Sequence, residues 1–208
     1  MARRGDPMDM DEVARTRSIY EEHSDAFVEK YRSESIAERF GEPFFEALQG
    51  DRVLDVGCGP GSDAETFADR EYDVTGLDVT PSFLESARTN VPDARFALGD
   101  MRQLPFDSSS FDGVWACASL LHVPREDVPA TLSEFARVLD DGGHLYCSLK
   151  RGDESGFDAD GRFFERHTAD AVASLLVGAG FEPVHVETAA AEEVASRDGW
   201  VQALARVA

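Results

Sequence analysis

Lysine is nearly missing from this chain of 208 residues: Lys30 and Lys150 stand beside 18 arginines and 41 acidic residues, for a formal net charge of −21. The acidic residues fall in nearly every decade of the sequence, so the charge belongs to the whole surface and not to one tail. Such a field repels phosphate backbones, and no basic stretch offsets it, which argues against nucleic-acid binding. Long apolar runs are also lacking. Nothing approaches the ~20 consecutive apolar residues of a membrane span, and the start, MARRGDPMDMDEVARTR, has no apolar centre of a secretory signal, so a cytoplasmic protein off the membrane is expected. Cysteine is scarce: Cys58, Cys117 and Cys147 form no CxxC pair, and no histidine pair stands at metal-ligand spacing, so no disulfide and no metal are expected. Repeats and low-complexity tracts are absent.

What is present suits one folded domain. Hydrophobic residues make up 42% of the chain, with 14 Phe and 2 Trp, enough for a substantial core despite the charge. A surface this acidic and poor in lysine resembles those of proteins from salt-accumulating halophiles, where molar salt shortens the Debye length to about 3 Å. An ordinary acidic cytoplasmic protein is the other reading. Nothing in the charge pattern decides between monomer and homodimer.

From residue 52 onward, short β-branched runs alternate with amphipathic segments, the pattern of a parallel βαβ sheet. Strands are expected near 52–56, 72–77, 94–98, 111–116, 143–149, 183–188 and 200–207. Thr80-Pro81 marks a helix start that buries Phe83, Leu84 and Ala87. Leu132, Phe135, Ala136 and Leu139 recur at helical spacing and are expected to stop at Asp140-Asp141-Gly142-Gly143. Thr168 caps a helix with Val172, Leu175 and Leu176 inward. Residues 1–50 read as an acidic helical cap of the same domain and residues 51–208 as its core. Residues 150–161, three glycines among charges, read as a mobile loop beside a binding site.

The most informative string is Val53-Leu54-Asp55-Val56-Gly57-Cys58-Gly59-Pro60-Gly61. An apolar strand running into close-set glycines lets backbone approach a ligand without Cβ obstruction. The pattern is GxGxG, with Ser62 where a dinucleotide fingerprint has its third glycine, so a pyrophosphate cradle is incomplete. Asp55 suits an ammonium group better than a phosphate. Asp78, ending the second strand, can accept both hydroxyls of a ribose. Asp100 can take an adenine amino hydrogen, or be only a turn residue, and Met101 can lie against the ring.

The run VLDVGCGPG, the acidic Asp78, GDM with LPF at 99–106, FDGVWACASLLHV at 111–123 and RVLDDGGHLYCSLK at 137–150 resemble, in order, the motifs of class I S-adenosylmethionine-dependent methyltransferases. The resemblance covers residues 52 to about 188. It implies a Rossmann-like, doubly wound α/β fold with a seven-stranded, mostly parallel sheet whose final strand pair is antiparallel. It implies S-adenosylmethionine as cofactor and S-adenosylhomocysteine as product, with Gly57, Cys58, Gly59 and Gly61 along the methionyl part and Asp55 near its amino group. Val79 would flank the adenine, and Cys117 would lie beside the methionyl group. Tyr20 and Tyr31 fall where similar enzymes close a helix over the cofactor, or are only core.

His122, after the fourth strand, is the candidate catalytic base or substrate-orienting group; a helix-capping or packing histidine is the alternative. Lys150, Arg151, Arg162 and Arg166 surround the loop after the fifth strand. Lys150 and Arg162 are the candidate substrate-binding residues for an anionic acceptor, and salt bridges to Asp153, Glu154, Asp158 and Asp160 are the alternative. An (Asn/Asp)-Pro-Pro-aromatic tetrapeptide is missing after the fourth strand, where Ala116-Cys117-Ala118-Ser119 stands, which argues against a nucleic-acid base as acceptor. A small-molecule nucleophile is therefore expected, and the fold leaves no length for a recruitment domain. The rivals are a nicotinamide-dependent oxidoreductase and a non-catalytic S-adenosylmethionine-binding protein.

Overall fold

The computed structural model describes residues 11–32, 34–189 and 199–208; the first ten residues, part of the start read above for a signal, lie outside them. Ten strands are described: β1 (Arg52–Val56), β2 (Asp73–Asp78), β3 (Arg95–Leu98), β4 (Phe111–Cys117), β5 (Leu139–Arg151), β6 (Gly156–Phe157), β7 (Phe163–Phe164), β8 (Arg166–His167), β9 (Phe181–Ala189) and β10 (Trp200–Val207). Seven form a continuous sheet in the order β3-β2-β1-β4-β5-β10-β9, and the two-residue β8 pairs with β5 beside it. The first five are parallel, whereas β10 lies antiparallel to both β5 and β9. The order reverses between β1 and β4, where an open α/β sheet leaves a crevice at the strand ends.

Among the described residues, eight α-helices flank the sheet: α1 (Glu12–Glu22), α2 (Ser24–Arg32), α3 (Ile36–Phe40), α4 (Glu42–Ala47), α5 (Ser62–Asp69), α6 (Pro81–Asn90), α7 (Val128–Val138) and α8 (Ala169–Gly178). One face of the sheet packs Leu54, Val114 and Leu145 against Leu132 and Phe135 of α7 and Leu176 of α8. The other face packs Val53, Trp115 and Tyr146 against Phe67 of α5 and Phe44 of α4. Strands covered on both faces read as continuous apolar runs, which is why β1 and β4 lack alternation. Each large apolar side chain so buried contributes about 1.5–3 kcal/mol.

The polar N-terminal segment divides in two. Helices α1 and α2 lie over the ends of the strands, but α3 and α4 are core elements: Ala37 and Phe44 are buried, and Phe44 packs 5.3 Å from the Trp115 ring. Gly113 of β4 permits this approach, because a Cβ there would stand 2.7 Å from the Phe44 ring. The Phe44-Phe45 pair, not the surrounding charges, decides where α4 goes.

Two local expectations are corrected. Helix α7 ends at Val138 and β5 begins at Leu139, so Asp140-Asp141-Gly142-Gly143 lies within the strand at a register shift opposite Phe111 and Gly113. The helix needs no glycine stop because the amides of Ser109 and Ser110 take up the carbonyls of Arg137 and Val138. Residues 150–161 are irregular only in part: β5 continues to Arg151, residues 152–155 carry no regular element, and β6 pairs antiparallel with β7 as a hairpin. Its turn is closed by Asp158, whose carboxylate accepts from the amides of Asp160 and Arg162 at 3.1 and 2.9 Å. At α6, Thr80 occupies the N-cap position, yet its side chain makes no capping bond. Thr168 does cap α8, accepting from the Ala171 amide at 3.2 Å. Among the described residues, no helix is long and apolar enough to cross a membrane.

Candidate active site

A cavity of about 680 Å³ opens at the carboxyl ends of β1, β2, β4 and β5, roofed by α1 and α2 and walled on one side by the β6–β7 hairpin. Its floor is the turn from β1 into α5. Gly57 there has φ +73°, and a Cβ would lie 2.3 Å from the Ser119 Cβ, so only glycine lets the two strand tips come this close. Gly59 also has positive φ, and its amide donates to Asp78 Oδ2 at 2.9 Å. The other oxygen of Asp78 accepts from the Thr80 amide at 2.8 Å. The Asp78 carboxylate is thus held by backbone amides at the edge of the cavity it lines. Burial holds the Asp78 carboxyl above the usual carboxylate range, and the two amide bonds offset part of that rise.

Asp55 lies deeper. It is 3% exposed, its Oδ2 is buried without a hydrogen-bond partner among the described residues, and burial, then Asp63, then Asp78, push its carboxyl well above the ordinary value. An uncompensated acidic group at the bottom of a cavity is a receptor for a cation. Asp63, which sequence reasoning missed, ties the floor together: its Oδ2 accepts from Trp115 Nε1 at 2.8 Å, and its Oδ1 accepts from Ser35 Oγ and the Ala37 amide at 2.8 and 2.9 Å. Its position in the first turn of α5, two residues past Gly61, was the available signal.

Val79, Asp100 and Met101 line the cavity beyond Asp78. The Asp100 carboxylate is engaged by Arg102, with Nε at 3.0 Å and Nη2 at 2.7 Å from Oδ2, and Oδ1 accepts the Arg102 amide at 2.9 Å. The turn role therefore exists, whatever else Asp100 does. Cys58 and Cys117 line the floor as thiols whose pKa burial pushes well up, and Cys147 is buried in the core; all three are free. Gly61 does not line the cavity; it is the left-handed residue that starts α5, 3.2 Å from Ala87 by its would-be Cβ.

The opposite wall carries a chain of polar groups from α1, α2, β5, a 3-10 turn and the β6–β7 hairpin. His122, in a short 3-10 turn (Leu120–His122), has Nδ1 2.6 Å from the Phe163 carbonyl of β7, which can only accept. Nδ1 therefore holds the proton, and Nε2 accepts from the Tyr20 hydroxyl of α1 at 2.9 Å. Burial, with Arg162 and Lys150 nearby, lowers the His122 pKa to about 4, so the imidazole is neutral at ordinary pH. Burial likewise pushes the Tyr20 phenol above its ordinary range. Arg162 is 11% exposed, is anchored to Asp158 Oδ2 at 2.6 Å, and donates to the Tyr31 hydroxyl at 3.2 Å. The salt-bridge alternative thus holds for Arg162, yet the same side chain still lines the cavity. Lys150 Nζ lies 3.6 Å above the Phe164 ring, and the Arg162 guanidinium is 5.3 Å from the same ring. Arg166, bonded to the Glu154 carbonyl, and Arg151 lie outside the lining. Tyr146, Ser148, Trp200 and Gln202 complete this wall and were not anticipated.

The fold and these motifs have counterparts. Residues 53–143 match the family model described as a methyltransferase domain. The methyltransferase GfsG of Streptomyces halstedii is 39% identical over 118 residues, which are 52% of this chain and 42% of that protein. The 27-O-demethylrifamycin SV methyltransferase of Amycolatopsis mediterranei is 32% identical over 171 residues, 76% of this chain and 62% of that protein. The chain spans about two fifths of the length of the first curated relatives it matches. In fold it superimposes on the Burkholderia thailandensis 1,6-didemethyltoxoflavin-N1-methyltransferase, solved with 1,6-didemethyltoxoflavin and S-adenosylhomocysteine bound, with a TM-score of 0.79 at 21% identity, over 100% of this chain and 92% of that one.

Proposed function

We propose, from the match of residues 53–143 to a methyltransferase-domain model, that the protein transfers a methyl group from S-adenosylmethionine to a small-molecule nucleophile. The observation that carries the reading is the floor of the cavity, where a glycine turn whose Gly57 admits no Cβ beside Ser119 meets a buried carboxyl, Asp55, with an oxygen unpartnered among the described residues, and an amide-anchored one, Asp78. That arrangement fits a ligand with an ammonium group at one end and a ribose at the other. Gly57, Cys58 and Gly59 hold the methionyl chain, Asp55 faces its ammonium, and Cys117 flanks it. Asp78 receives the ribose hydroxyls, and Val79, Asp100 and Met101 border the adenine. Gly61 acts one step removed, by setting the start of α5.

When bound, the cofactor supplies a sulfonium methyl that a nucleophile displaces in line. The chain's part is to position and enclose, which accounts for most of the help such a displacement needs. Tyr20 and Tyr31 close the roof. His122, neutral and with its tautomer fixed by the Phe163 carbonyl, orients Tyr20 toward the reacting region; Lys150 and Arg162 hold the acceptor. Nucleic acid, membrane and metal have no part in this reading. The enzyme works in the cytoplasm, and its acidic surface is an adaptation to concentrated salt.

Calorimetric titration of S-adenosylmethionine and S-adenosylhomocysteine, in low and molar salt, with NAD as control and Asp78→Ala beside the wild type, tests it. Binding of both that is lost in the variant supports the assignment. Binding of NAD alone would return an oxidoreductase, and binding without turnover on any acceptor would leave a cofactor-binding protein.

A further inference from the structure

The hydrogen-bonding inventory of the acceptor wall is lopsided. Several of its acceptors already have a donor: His122 Nε2 has Tyr20, the Gln202 side-chain oxygen has the Tyr146 hydroxyl at 3.1 Å, and Ser148 Oγ has the Ala118 amide at 2.9 Å. Its donors point the other way. Trp200 lines the cavity, and its indole N–H is buried without a partner among the described residues. Tyr31 accepts from Arg162 at 3.2 Å, which holds the guanidinium at the wall. Trp200 and Lys150 are direct cross-strand partners of β10 and β5, so their side chains share one face of the sheet at the cavity wall. Lys150 and Arg162 meet over the Phe164 ring. In a chain of net charge −21, both lysines, Lys30 and Lys150, line this one cavity.

We infer that the methyl acceptor is a small planar organic oxyanion, a carboxylate or the conjugate base of an acidic enol or phenol, seated on the Phe164 ring and received by Lys150, Arg162 and the Trp200 indole N–H. The inference rests on the proposed methyl transfer and names its substrate class. An orphaned buried donor lacks the bond it would have had with water, so a ligand that only accepts is favoured there over one that also donates. The charge balance closes without a base. The oxyanion's lone pair forms the new bond to the methyl carbon while the carbon–sulfur pair goes to sulfur. One negative and one positive charge vanish together, leaving a neutral ester or ether and a thioether, with no proton to remove. That agrees with a wall whose only imidazole is already engaged on both nitrogens.

The test uses benzoate and cinnamate as probes and their planar uncharged amides as controls, titrated at fixed ionic strength into protein saturated with S-adenosylhomocysteine. At least tenfold tighter binding of the acids is expected. Trp200→Phe, which removes the N–H and keeps a ring, and Lys150→Gln should each weaken acid binding at least fivefold, with S-adenosylhomocysteine affinity and thermal midpoint kept. Amides that bind as tightly as the acids, or variants that bind the acids as well as wild type, overturn the proposal. So does failure of every acid to bind while S-adenosylhomocysteine binds. If S-adenosylhomocysteine itself does not bind, it is the methyl-transfer reading that fails first.

Discussion

The two ends of the cavity are built by different means. At the floor, strand tips and a glycine turn present backbone amides and the carboxyls Asp55, Asp63 and Asp78. At the opposite wall, helix α1, the 3-10 turn, the end of β5 and the β6–β7 hairpin present long side chains: Tyr20, His122, Lys150 and Arg162. A floor made of backbone is fixed by the sheet and has one shape. A wall of side chains is set by pairwise contacts, so substitution can change it without altering the fold. The division suits a protein that keeps one cofactor and varies its acceptor.

The comparison is broken most severely at Gly57. A valine there must place Cβ 2.3 Å from that of Ser119 at φ +73°, so Gly57→Val should lower stability by more than about 3 kcal/mol and abolish S-adenosylhomocysteine binding. Urea unfolding and calorimetry check both.

The next effect is a dependence on pH in which the two ends have opposite signs. Burial lowers the His122 pKa to about 4 in the fold, from an ordinary 6.5 in the unfolded chain. Between these values the unfolded chain binds more protons, so this contribution is full above pH 6.5 and is lost as pH falls toward 4, by an amount of about 3 kcal/mol. Urea midpoints measured from pH 7 to 4 should therefore fall less in His122→Gln than in wild type. Asp55, whose carboxyl is raised, contributes in the reverse sense: stability present below its unfolded value and lost as pH rises through the folded one. Asp55→Asn should accordingly stabilise the protein at pH 8 by about 1 kcal/mol, the usual order for relieving an unpaired buried polar group, while weakening S-adenosylhomocysteine binding at least tenfold. Variants destabilised and weakened together would make Asp55 structural.

The smallest effect belongs to the rim. Lys30 is exposed and sits 5.4 Å from the Tyr31 ring. Lys30→Gln should change stability by less than about 0.5 kcal/mol, as solvated charges do. A larger thermal shift would mean that the rim is as rigid as the floor.

The same division explains what could be read in advance. The strands, the glycine turn, Asp55 and Asp78 were legible because short-range patterning dictates them: apolar runs, close glycines, an acid at a strand tip. Lys150, Arg162 and His122 were found by proximity to strand ends, but their partners were not, since Tyr20–His122 joins residues 102 apart and Arg162–Tyr31 joins residues 131 apart. Trp200 was missed because its strand is antiparallel and distant in sequence; only its register with Lys150 brings it to the wall. The hairpin after β5 was misread because a turn closed by an aspartate and rich in glycine looks like disorder until its amides are traced.

The bond from the Phe163 amide to Thr16 Oγ1, buried at 2.9 Å, crosses from the hairpin to α1. With the Tyr20–His122 bond and the Ser82–Glu21 bond of 2.6 Å, it fastens the roof at three points. Exchange of the Phe163 amide hydrogen with solvent deuterium thus reports release of α1, since that proton is freed only when the helix lifts. Its exchange rate would time the interval during which a ligand can enter or leave.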